Sequence, residues 1–153
     1  MAKPLNQKSI ALRENHKRSI SVSLHLLDKS LCEWEQWMSG QVPSGVMYQP
    51  QDTLSAATKK ELRTRIENMR ELIVRLRDDL NLAPARPRTT SLIVGQATVL
   101  WEMLAELNSS SLHGYGPVSP QFAAYIDPIG ESLTRQMHEI SALFSKPTEV
   151  LET

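Results

Sequence analysis

The sequence predicts an all-α protein: a four-helix up-down bundle whose fourth helix is kinked or split near Pro128. Three observations predict it. Four stretches repeat apolar residues at alternating steps of three and four, the spacing that keeps one face of a helix apolar. Proline- and glycine-bearing linkers separate those stretches. No stretch of any length alternates apolar and polar residues as a half-buried strand would. Four amphipathic helices hide their apolar faces most simply against each other.

The first stretch runs Ile20, Leu24, Leu27, Leu31, Trp34, Met38. Arg13 and Lys17 occupy the earlier seam positions, so residues 1–13 read as a loosely ordered lead-in. Ser39-Gly40 ends the helix, with glycine supplying the left-handed residue that closes a helix C-terminus. The linker QVPSGVMYQPQ follows. Asp52 is the expected N-cap of the second helix, with Thr58 and Glu61 as a capping box one turn further in. The second stretch is Leu62, Ile66, Met69, Ile73, Leu76, Leu80, stopped by the proline linker Ala83–Arg88.

Thr89 or Thr90 is the expected cap of the third helix, whose seam is Ile93, Ala97, Leu100, Leu104, Leu107. Val94 and Trp101 form a second stripe beside that seam. Asn108–Ser111 dissolve the helix end, and His113–Pro117 read as a turn. Ser119-Pro120 starts the fourth helix with a favoured cap and first-turn proline. Its seam is Phe122, Ile126, Ile129, Leu133, Met137, Ile140, Phe144. Asp127-Pro128 lies inside that pattern and offers a second cap and first turn. Lys146-Pro147 ends the helix, and residues 146–153 read as a frayed tail.

A chain of 153 residues reads as one domain, 1–153, able to bury a core without disulfide or metal. An apolar fraction of 41% beside 22% charged residues is a globular composition. Cys32 is the only cysteine, and the first twenty residues carry charge throughout, so the chain reads as cytoplasmic, without secretory signal or membrane span. Net charge is zero but uneven: +4 over 1–18, −3 over 19–58, +4 over 59–88 and −5 over 89–153. Such alternation points to segments that neutralise one another. On a heptad assignment Asp28 and Glu35 of the first helix and Arg63, Arg70 and Arg77 of the second all take e positions, so acids meet arginines along an antiparallel seam. The long linker leaves that register open by a whole heptad. Glu61 with Arg65 and Glu71 with Arg75 are expected i,i+4 pairs.

Chemistry-bearing patterns are sparse. A di-iron bundle needs Glu-x-x-His on two helices, whereas Arg135 precedes His138 and Val22 precedes His25 at that spacing. Both histidines fall on outward heptad positions. Cys32 stands next to Glu33, which disfavours a thiolate. There is no nucleophile elbow and no glycine loop for a phosphate. The expectation is a protein that is not an enzyme, with no metal and no cofactor. Arginine density on the second helix raises nucleic-acid binding as a rival, which neutral net charge and few aromatics weigh against.

The remaining signal lies in the loops. In an up-down bundle the linkers after the first and third helices share one end, and they carry Val46, Met47, Tyr48 and Leu112, His113, Tyr115. Such residues either lid the core or form a contact surface. The expected role is binding another protein, with Trp37, Met47, Tyr48, His113 and Tyr115 as the interaction surface. Val94 and Trp101 are the candidate face of a homodimer. A small-molecule sensor with a pocket near Trp34, Trp101 and Phe122 is the alternative.

Overall fold

The computed structural model describes residues 10–145. Its elements are α1 (Glu14–Ser39), α2 (Ala56–Asp79), α3 (Thr89–Ala105), α4 (Ser109–Leu112), a single 3₁₀ turn (His113–Tyr115) and α5 (Pro120–Leu143). The all-α class holds, with no strand among the described residues. Among the described residues the helices number five where four were expected, because Ser109–Leu112, capped by Asn108, form a short helix of their own after α3 ends. No helix among the described residues is long and apolar enough to cross a membrane. Most of the expected lead-in (1–9) and the whole expected frayed tail (146–153), with its Lys146-Pro147 stop, lie outside the described residues.

The chain divides into two compact units, with the break between Ala85 and Arg86 inside the proline linker. The expected single domain spans both. In the first unit α1 and α2 run antiparallel: Ile10, ahead of α1, donates its amide to the Asp79 carbonyl (2.9 Å), while Glu35 near the other end of α1 meets Arg70. Leu31, Met38 and Ile66 are buried, and Leu27, Trp34, Leu62, Met69 and Ile73 pack on them. These are residues whose periodicity marks the seam; Leu76, expected in it, is exposed on the outward side of α2.

Helix ends follow local chemistry, with three corrections. Gly40 closes α1 at φ +72°, as glycine there should. Asp52 does not cap α2. Ser55 does, its hydroxyl accepting from the Thr58 amide at 3.1 Å. Asp52 lies one turn earlier, accepting from the Leu54 amide and pairing with Lys59. α2 stops before the proline linker, at Asn81 in the left-handed region (φ +52°). The Leu82 amide reaches the Arg77 carbonyl at 2.9 Å and the Asn81 amide reaches that of Asp78 at 3.4 Å, the two bonds of a Schellman close. α3 begins at Thr89 with Arg88 in the cap position and no side-chain cap, so neither threonine performs that role.

In the second unit α5 is one helix from Pro120 to Leu143, and Pro128 does not split it. Ser119 caps it, accepting from the Phe122 amide at 3.1 Å, with Pro120 in the first turn. α3 and α5 are antiparallel: Trp101 meets His138, Leu107 meets Gly130, and Ser109 meets Asp127. The faces that pack are only partly the expected ones: Ala97, Leu104, Leu107, Ile126 and Met137 of the expected seams are buried or half-buried. Ala97 and Gly130 are buried, and Val94, Trp101, Ala123, Thr134 and Ser141 are half-buried. Ile93, Leu100, Phe122, Ile129, Leu133 and Ile140, all assigned to seams by periodicity, are exposed. Both helices are turned by about half a residue step, roughly 50°, from the expected seam. Small residues recur on α5 at Ala123, Gly130, Thr134 and Ser141, one position after each bulky residue, and they let α3 approach closely.

Candidate functional site

Trp37 and Tyr48 share one cleft of the first unit. α1 ends two residues after Trp37, and Gly40 reverses the chain into the linker. The Gly45 amide donates to the Tyr48 carbonyl at 2.8 Å, closing a tight bend. The Gln49 side-chain amide donates back to the Val46 carbonyl at 3.3 Å. This bend holds Val46 and Met47 out in solvent, 91% and 95% exposed. The cleft beside it measures about 520 Å³ and is lined by Trp37, Val42, Tyr48, Pro50 and Leu54, with Asp52 at its edge. The Lys59 ammonium and the Leu54 amide hold the Asp52 carboxyl below the usual aspartate range. Val46 and Met47 therefore do not serve as a lid on a core; the turn presents them outward.

His113 and Tyr115 belong to the second unit, on the 3₁₀ turn after α4. Both are exposed, Tyr115 at 91%. The candidate dimer residues Val94 and Trp101 are half-buried on the side of α3 that faces α5. The Trp101 ring lies 5.0 Å from that of His138, tilted by 58°, and its buried indole N–H has no partner among the described residues. His138 is thus an exposed residue whose ring lies beside that of Trp101, on the side its heptad position would have turned away. Of the pocket residues weighed for a small ligand, Trp34 packs on the first unit's core, Trp101 is half-buried against His138, and Phe122 is exposed.

The expected meeting of acids and arginines occurs at one residue. Arg70 forks onto Glu35, with Nη2 donating to Oε2 at 2.9 Å and Nη1 to Oε1. Its Nε lies 3.9 Å from Asp28 Oδ1, and Nη2 is 3.7 Å from Cys32 Sγ. Arg70 holds the Glu35 carboxyl below its ordinary range, chiefly through the hydrogen bonds. Arg77 turns to its neighbour Asp78 (2.9 Å), and Arg63 has no ion pair among the described residues. Glu61 pairs with Arg65 as expected, whereas Arg75 pairs with Asp79 and not with Glu71. His25, Asp28, Arg70 and Arg77 border a second cleft, of about 360 Å³, between α1 and α2.

Two features of the second unit escape sequence reading. Asp127 accepts from the Ser109 amide (2.6 Å) and the Ser109 hydroxyl (2.8 Å), which lowers its pKa. Ser109 opens α4, so its amide lacks an intrahelical partner and Asp127 supplies one across the unit. The other is the exposed apolar face of α3 and α5. The stripe of small residues running one position after the bulky one was the available signal. Compared with protein-family models, curated proteins and solved structures, the chain matches none.

Proposed function

We propose that this chain works by binding another protein, without catalysis, and that the cleft between Trp37 and Tyr48 takes an extended apolar segment of the partner. The observation that carries this reading is the pinned bend at Gly45–Tyr48, which holds Val46 and Met47 in water beside an aromatic-edged cleft. Apolar side chains held in solvent gain nothing within the chain and gain on being covered. A bend already ordered by its own hydrogen bonds loses little further entropy on binding. Aromatic-edged grooves suit extended, low-entropy segments.

The arginines of α2 give less support to nucleic-acid binding, because Arg65, Arg70, Arg75 and Arg77 each lie against a carboxylate. A four-helix up-down bundle enters the proposal as one way of covering the apolar helix faces that stay exposed, and oligomeric state tests it.

Panning a displayed library of random linear peptides against the full chain tests the reading. Apolar peptides should be enriched, and Tyr48→Ala should weaken them at least tenfold, about 1.4 kcal/mol. Tyr115→Ala shows whether the second unit's turn joins the same surface. No enrichment, or binding indifferent to both substitutions, would overturn the proposal.

A further inference from the structure

α5 turns its smaller residues to α3, Val94, Ala97 and Trp101 of α3 face α5, and a stripe of large apolar residues on each helix lies to one side of the seam. Ile93, Leu100, Phe122, Ile129, Leu133 and Ile140 are each 37–44% exposed. On α5 the stripe 122, 129, 133, 140 keeps heptad spacing over most of the helix, and no charged residue interrupts it. Asp127, Glu131, Arg135 and Glu139 of α5 border the cleft on the other side of the α3–α5 pair, and Glu106 follows the end of α3. α3 is apolar almost all round, with Leu92, Val99 and Met103 exposed as well and Glu102 its one charge. A helix of that composition is ordinarily a buried one.

We infer that this uncharged α3–α5 face is where two copies of the chain meet. Charge selects the occupant. A charge sealed against this face would lose water and gain no partner, so the covering surface must itself be uncharged. The outward faces of α1 and α2 do not meet that condition. The Lys29–Glu33 pair sits between Leu26 and Trp37, and the Glu61–Arg65 and Arg75–Asp79 pairs flank Leu72 and Leu76. The α3–α5 face matches itself, which is what an isologous two-fold contact requires. Its extent also fits. At about 200 Å² for a whole large side chain, the nine exposed residues named above leave on the order of 800 Å² uncovered, close to one partner's share of a standard interface. Two such hairpins face to face give four helices around one core. The inference is independent of the Trp37–Tyr48 cleft, which lies in the other unit.

Sedimentation equilibrium of the full chain tests it. The expected mass is twice the 17.2 kDa of one chain. Leu100→Glu and Leu133→Glu should weaken self-association roughly a hundredfold or more and return the single-chain mass with unchanged helix content. Leu72→Glu, on α2, should leave the double mass intact. A wild-type chain at single mass at high micromolar concentration would overturn the inference. In that case, slow hydrogen exchange in α3 and α5 would mean that the face is covered within the chain, and fast exchange that it stays open. Should the charged variants lose their helix, two differently tagged wild-type copies decide the matter. Recovery of both tags in one affinity step supports the contact, and recovery of one tag overturns it.

Discussion

Gly130 of α5 lies directly against the backbone carbonyl of Leu107, with no room between them for a methyl group. A Cβ at this position would overlap the Leu107 oxygen and come within 3.1 Å of its carbonyl carbon. The obstacle is main chain at the end of α3, which cannot rotate aside as a flexible side chain could. Glycine at this point is what allows α5 to pass the α3–α4 junction closely enough for Asp127 to reach Ser109.

Gly130→Ala should therefore destabilise the protein by about 1–3 kcal/mol, the usual cost of overpacking. In an open helix site the same exchange stabilises by about 1 kcal/mol. Gly95 supplies that control, since a Cβ there meets nothing within 4 Å. Gly95→Ala should raise the denaturant midpoint and Gly130→Ala lower it. Equal shifts of the same sign would refute the close approach.

Acid should loosen the second unit through Asp127. Its folded pKa is depressed by the Ser109 amide and hydroxyl, so the bond contributes stability above the unfolded aspartate pKa of about 3.9. That contribution is lost as pH falls through the lower folded value. Glu35, depressed by Arg70, works in the same direction in the first unit. Asp127→Asn should flatten part of the stability loss below about pH 4, as read by denaturant titration across pH. An acid limb unchanged by the substitution would count against the contact.

The Arg70–Glu35 fork should show as a coupling energy. A double-mutant cycle of Arg70→Met and Glu35→Gln is expected to give about 1 kcal/mol, the upper end for a partly exposed pair with forked geometry, and less in high salt. The same cycle on Arg77 and Glu35 should give zero, because Arg77 pairs with Asp78. Coupling at Arg77 instead would move the register of α1 on α2 by two turns.

Capping distinguishes Ser55 from Asp52. Ser55→Ala removes the acceptor for the Thr58 amide and should cost about 1 kcal/mol of helix stability. Asp52→Ala loses an exposed ion pair and a turn bond ahead of the helix, so its cost should be smaller. The reverse ranking in thermal melts would restore Asp52 as the cap.

Much of the local structure is legible in the sequence for a physical reason. Helical periodicity, the Gly40 close and the Ser119-Pro120 start each depend on residues within one or two turns, and the structure contains all three. The α1–α2 seam was legible too, because Leu31, Met38 and Ile66, with Leu27, Trp34, Leu62, Met69 and Ile73 packed on them, follow the repeat itself. α3 and α5 each carry two stripes one residue apart. On α5 periodicity favours the bulkier one, while packing favoured the smaller, since Ala123, Gly130 and Thr134 admit a neighbouring backbone that Ile129 and Leu133 would hold off; on α3 the packed stripe carries Val94 and Trp101.

The sequence by itself determined the four long helices, the Gly40 close, the Ser119-Pro120 start and the absence of strands among the described residues, because hydrogen bonds and caps within a few residues set these. Tertiary structure alone decided three other things. It set the α1–α2 register, which a linker from Gly40 to Ser55 leaves open until Arg70 finds Glu35. It tied the first amide of α4 to Asp127, 18 residues away, beside the local cap that Asn108 supplies. It also chose which stripe of α3 and α5 packs within the unit and which faces water, a choice made by how closely two backbones can approach, and no repeat along a single helix records that distance.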